Sequence, residues 1–198
     1  LLLPHGRLPL NVFEPRYLNM VDDALCSARM IGMVQTKPGS GLAAPNLASV
    51  GCLGRITSFA ETEDERYLIT LSGVCRFRVV EELEAATPYR QVLADYGAFE
   101  ADLKPMVDDD GFDRLRFLGA LRNYLVRKGL SIEDWDGAKS APAESLVNSL
   151  AMVLPFGVRE KQALLEAPTF SERREALIAL MEIDSLAGGR EDEPPPVQ

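Results

Sequence analysis

The apolar residues change period about halfway along the chain, and that change constrains the fold more than any other feature. Up to residue 102 they alternate or run in short stretches; beyond residue 103 they recur at three and four positions. A period of two makes one face of a strand apolar, and a period near 3.6 makes one stripe of a helix. The strongest β signal is at residues 49–59 and 66–73, which flank the polar stretch 61–65 and read as a hairpin. In the second arm Tyr67, Ile69 and Leu71 point one way and Leu68, Thr70 and Ser72 the other. Residues 74–80 read as a further strand, with Arg76 and Arg78 alternating against Cys75, Phe77 and Val79. Residues 8–13, with Pro9 near their start, suit an edge strand, and residues 30–35 and 89–96 read as two more. Pro15 takes the first-turn position of a helix over residues 15–28, where Leu18, Val21 and Leu25 follow at helical spacing. Leu1, Leu2 and Leu3 read as the end of a strand that begins upstream. Gly51 and Gly54 suit a bulge or a corner within their strand, and residues 36–47 a mobile loop. Five or six short strands in so short a stretch predict a closed or nearly closed barrel, because open edges invite aggregation.

The second half predicts helices. One covers residues 112–128, with Leu115, Leu118, Leu121 or Arg122, and Leu125 as its buried stripe and Gly129 as its stop. The acidic run at residues 108–110 complements the positive N-terminus of that helix. Residues 131–134 resemble a capping start for a short helix through Trp135. Residues 143–154 form a helix ended by Pro155, and residues 158–167 another stopped by Pro168. Thr169 and Glu172 make a capping box for a last helix to about Leu186. The expected plan is α+β: a β-rich barrel with one inserted helix over residues 1–102, a helical bundle over 103–187 entered by a charged linker near 103–111, and a disordered tail over 188–198.

Composition narrows the function classes. Of 198 residues, 46% are hydrophobic, enough for a core, and the net charge is −9. Such a balance disfavours nucleic-acid phosphates and anionic membranes unless the cations gather on one face. No apolar run approaches the roughly 18–20 residues that span a bilayer. Cys26, Cys52 and Cys75 form no paired motif and fit buried, inert thiols in a reduced, cytoplasmic chain. The one histidine, His5, sits in a loop-like setting without neighbouring ligands and reads as a surface residue. Lys37 to Gly41 lacks the Lys-Ser/Thr that closes a phosphate loop, and the carboxylate runs read as solvated turns and a helix entry. The expectation is a chain with no catalytic residues, cofactor or metal.

What remains is the corner Leu8 to Tyr17, reading L-P-L-N-V-F-E-P-R-Y. Glu14 can accept N–H groups at the helix start, Arg16 can fork onto a carboxylate, and Phe13 and Tyr17 bracket them. Such a cluster either locks the corner or lines a recognition groove, where aromatic and Arg side chains dominate. The stretch P-L-N-V-F-E-P-R-Y-L-N-M-V-D-D-A-L followed by M-I-G-M-V-Q resembles the N-terminal substrate-binding domain of Lon proteases, and more closely its stand-alone bacterial relatives. V-G-C-L-G-R-I-T-S-F, Y-L-I-T-L-S-G-V-C-R-F-R-V and E-K-Q-A-L-L-E continue the resemblance from residue 8 to about 186. It implies a PUA-like barrel followed by a helical bundle, and contact with unfolded or partly folded polypeptides, with a protease or chaperone system among the partners. Lon proteases continue into an ATPase with a phosphate loop and a Ser-Lys protease domain; neither motif stands in this sequence, and Lys139 and Ser140 lack that context. The expected peptide-contacting residues are Phe13, Glu14, Arg16, Tyr17, Met33 and Arg76. Met20 and Met30 lie in the same region. Two alternatives stay open: an RNA-binding PUA-like domain using Arg55, Arg66, Arg76, Arg78 and Arg90, and an enzyme whose pocket the sequence does not reveal.

Overall fold

The computed structural model describes residues 1–37, 45–104, 111–131 and 135–187, with residues 185–187 described by their backbone alone. The expected disordered tail, most of the expected mobile loop, the acidic run 108–110 and the capping residues 132–134 lie outside the described residues. The chain divides into two compact units, Leu1–Pro105 with Asn148–Glu166, and Met106–Val147 with Ala167–Gln198. In that division residues 148–166 go with the β-rich unit, whereas the sequence pattern puts them in the helical bundle.

In the β unit the strands are β1 (Arg7–Val12), β2 (Met30–Thr36), β3 (Leu47–Glu61), β4 (Tyr67–Leu83) and β5 (Gln91–Asp95), and the inserted helix α1 is Pro15–Leu25. All pairings are antiparallel, in the order β1-β4-β3-β2, with β5 also on β4. β4 is one strand of 17 residues where the sequence suggested two. Gly73, at the expected break, is instead where the N-terminal segment crosses: a Cβ there would lie 2.0 Å from the Leu3 carbonyl oxygen. His5 N–H donates to the Gly73 carbonyl at 3.0 Å and Gly73 N–H to that of Gly6 at 2.9 Å. Leu2 and Leu3 are buried there outside any strand, so the expected strand end is a docked segment. His5 is exposed, as is Cys26, which corrects the expectation of three buried thiols. The register of β3 on β4 shifts between Leu53 and Gly54, placing a bulge where the glycine suggested one.

Of the expected closed or nearly closed barrel, the described strands do not make the closed form. β1 and β5 lie end to end along one edge of β4, opposite residues 67–72 and 78–83, while β3 takes the other edge. Among the described residues β2 pairs only with β3 and β5 only with β4, so the sheet stays open between β2 and β5. Its core is Val50, Cys52, Ile56, Ile69, Leu71, Cys75 and Phe77. α5 (Val158–Glu166) covers part of β3, held by Gln162 Nε2 on the Val50 carbonyl at 3.1 Å and Ser49 Oγ on Glu166 at 3.3 Å.

In the second unit α2 (Arg114–Lys128) packs on α6 (Phe170–Ala187). The Asp113 side chain accepts from the Arg116 N–H at 3.0 Å, and Gly129 ends α2 at φ 63°. Leu121 and Leu125 of the expected stripe are buried, joined by Phe117 and Tyr124, while Leu115 is 86% exposed. The positions i, i+4, i+7 and i+8 mark one face of the helix. They meet Leu177, Ile178 and Met181 on α6 as the core of this unit. The capping box forms as expected: Thr169 N–H donates to Glu172 at 3.0 Å and Glu172 N–H to Thr169 Oγ1 at 3.2 Å. The remaining helices are α3 (Trp135–Ser140) and α4 (Ala143–Val153), the latter shared by the two units.

Candidate functional site

The gap between β2 and β5 is a cleft of about 490 Å³, entirely within the β unit. One wall is α1, which turns Arg16, Tyr17, Met20, Asp23 and Ala24 into it, with Ser27 just beyond its end. Their spacing of three and four selects one face of a helix, so the amphipathic pattern that defined α1 also builds the wall. Met30, Gly32 and Val34 of β2 form the second wall; Tyr89 and Arg90 lead into the third, which continues through Val92 and Ala94 of β5 to Tyr96. The floor is apolar, made by Leu53 of β3 and by Phe77 of β4, which is 2% exposed. Tyr96 leans against Phe77 with ring centroids 5.9 Å apart.

Two polar clasps cross the cleft's mouth. Tyr89 Oη donates to Asp23 Oδ2 at 2.6 Å, joining the approach to β5 to α1. That bond raises the phenol's pKa above its ordinary value, because losing the proton would set two anions together. Arg90 donates from Nη1 to the Pro45 carbonyl at 2.7 Å, and its guanidinium also binds the Glu82 carboxylate. Glu82 is correspondingly held below its ordinary carboxylate pKa, chiefly by that hydrogen-bonded arginine. Ser27 Oγ is taken by the carbonyls of Asp23 and Ala24, and His5 does not line the cleft. The lining is thus an apolar floor, two adaptable methionines, tyrosines at the rim and charges already paired. Such a surface suits side-chain burial with a few polar anchors.

The residues marked in the sequence separate. Arg16 and Tyr17 line the cleft, with the guanidinium 4.6 Å from the Tyr17 ring. Glu14 does not cap α1 with its side chain; its carboxylate takes Nε and Nη2 of Arg16 at 3.0 and 2.8 Å. Phe13 is 64% exposed but off the cleft, and Met33 is half-buried between the lining residues Gly32 and Val34. Arg76 cannot contact a partner, being 3% exposed. Its Nε and Nη2 fork onto Asp102 at 2.8 Å each, Nη1 reaches the Leu165 carbonyl at 3.1 Å, and the group lies 4.5 Å from the Phe99 ring. Alternation along β4 suggested an outward face at Arg76; the 3-10 turn Gly97–Leu103 and the end of α5 cover it. The β5 side of the cleft, from Tyr89 to Tyr96, was missed. Its aromatic and apolar alternation marks a strand, but nothing local says that it will stand across from β2.

The cations of the RNA alternative are dispersed in the same way. Arg66 binds Asp64 at 2.8 Å, Arg90 binds Glu82 and Arg76 is buried, so three of those five arginines are already matched by carboxylates. Among the described residues no cluster of His, Cys, Asp and Glu could hold a metal ion, and no helix is long and apolar enough to cross a membrane.

Known proteins similar to this chain agree on its class. The Lon protease of Syntrophus aciditrophicus is 25% identical over 179 residues, and Lon protease 2 of Myxococcus xanthus 25% over 191. These matches take in 86% and 90% of this chain but only 22% of each relative, so the chain spans about a fifth of their length. Among solved structures, a Lon N-terminal domain protein from Xanthomonas campestris superposes with a TM-score of 0.60 at 24% identity, covering 90% of this chain and 91% of that one. The N-terminal domain of the Mycobacterium avium complex Lon protease gives 0.62 at 14% identity, covering 91% and 92%. At those identities the superpositions speak for the fold alone. The family model described as the ATP-dependent protease La (LON) substrate-binding domain matches residues 1–182, and the chain belongs to that family.

Proposed function

We propose that this chain is a non-catalytic polypeptide-recognition module that works in the cytoplasm and binds unfolded or partly folded segments in the cleft between α1, β2 and β5. The observation that carries the reading is the cleft itself: an apolar floor of Phe77 and Leu53, opened by the missing β2–β5 pairing and rimmed by Tyr17, Tyr89 and Tyr96. Aromatic rims around a desolvated centre are where binding energy concentrates. The family's substrate-binding description supports the same role, and the Lon relatives make a protease or chaperone system a fitting partner. Fluorescence anisotropy with a labelled, reduced and carboxymethylated unfolded protein tests it. Wild type should bind, and Arg16→Ala with Tyr17→Ala should weaken binding about tenfold, as expected when rim anchors are truncated. Absence of binding, or binding indifferent to that double substitution and to Val92→Ser, would remove the assignment.

A further inference from the structure

We infer that the cleft takes its polypeptide as an extended strand added to the free edge of β2, so that backbone hydrogen bonds, and not side-chain burial alone, hold the segment. The inference rests on the function proposed above and specifies its mode. Ile56 N–H donates to the Arg29 carbonyl at 2.8 Å, and the register continues Met30 opposite Arg55, Ile31 opposite Gly54 and Gly32 opposite Leu53. In an antiparallel ladder hydrogen-bonded positions alternate. Ile31 and Met33 therefore turn their N–H and C=O groups to β3, and Met30, Gly32 and Val34 turn theirs away from it. Lys37 N–H on the Asn46 carbonyl at 2.7 Å resumes the ladder beyond the irregularity between Val34 and Thr36.

Met30, Gly32 and Val34 all line the cleft, and among the described residues that edge of β2 pairs with no strand. A row of free, alternating donors and acceptors beside an apolar floor is complementary to an extended chain and to no other backbone shape. Gly32 sharpens the fit. A Cβ there would lie 3.1 Å from Phe77 Cζ, and its absence leaves the Phe77 ring uncovered beside the middle of the edge. The charges also select. Around the cleft Arg16 is matched by Glu14 and Arg90 by Glu82, Asp23 adds a carboxylate beyond those pairs, and the chain as a whole carries a net charge of −9. The occupant is accordingly a neutral-to-basic segment with apolar residues at alternate positions.

The test uses the unaltered protein and an acetylated peptide of about nine residues alternating valine with threonine and lysine, long enough to span β2. Two further peptides carry N-methyl groups on alternate amides, one in each register, and a fourth replaces lysine with glutamate. The parent peptide should bind. One N-methylated register should lose about tenfold in affinity while the other binds as the parent does, because only one set of amides faces β2. The glutamate peptide should bind more weakly. Amide exchange at Met30, Gly32 and Val34, followed by NMR, should slow about tenfold on binding, with Ile31 and Met33 little changed. Equal affinity of the parent and both N-methylated peptides, with no slowing at the three amides, would overturn strand addition and leave the cleft reading standing. Failure of every peptide to bind would remove both. A dimer in sedimentation without peptide, protecting the same amides, would identify a second copy as the occupant and overturn the peptide proposal.

Discussion

Two arginine–carboxylate pairs in the β unit have the same chemistry and opposite situations. Arg76 and Asp102 are 4% and 8% exposed at their side chains; Arg16 and Glu14 are 53% and 44% exposed. The first pair stitches β4 to the 3-10 turn and to the Leu165 carbonyl at the end of α5. The second lies beside the cleft and holds nothing else in register. Burial raises the cost of breaking a pair, because the orphaned partner stays in low dielectric; exposure lets water replace it. The buried pair is therefore a structural joint, and the exposed one is available to function.

The largest effect should follow Arg76→Ala, which leaves Asp102 buried without its fork and should cost about 3–5 kcal/mol in urea denaturation. A result below about 1 kcal/mol would erase the contrast. Replacing both members, Arg76→Met with Asp102→Leu, should recover most of that loss, since apolar side chains of similar size avoid the uncompensated charge. No recovery would mean that the Leu165 and Phe99 contacts carry the joint instead. Arg16→Ala should change stability by less than about 0.5 kcal/mol while weakening binding of an unfolded polypeptide, the reverse of the Arg76 pattern. The smallest effect concerns pH. Glu82 has a depressed pKa in the folded chain, so its bond to Arg90 contributes fully above the unfolded-state pKa and fades as pH falls through the folded one. The Glu82 carboxyl resonance should titrate below the ordinary carboxylate range and return toward it in Arg90→Gln.

Much of this was legible from sequence because it depends on near neighbours. The 3.6-residue period located α1, Thr169 and Glu172 announced the start of α6, and Gly129 announced the end of α2. Arg16 and Tyr17 were legible as a cluster, and both border the proposed cleft, because the corner that positions them is local. Arg76 misled because alternation assigns a side chain to a face but does not say what covers that face. Leu115 misled for a related reason: several apolar stripes fit α2, and α6 selects among them.

By itself the sequence determined which stretches extend and which coil, where most of them stop, and the family to which the whole arrangement belongs. Those properties follow from side-chain spacing and from residues that restrict their own backbone. Only the tertiary structure decided that the sheet stays open between β2 and β5, that residues 148–166 return to it, and that one arginine is a joint while another borders a cleft. Each of those outcomes depends on which distant segments reach the same place, and the free energy of such meetings is a property of the packed pair, carried by neither segment alone.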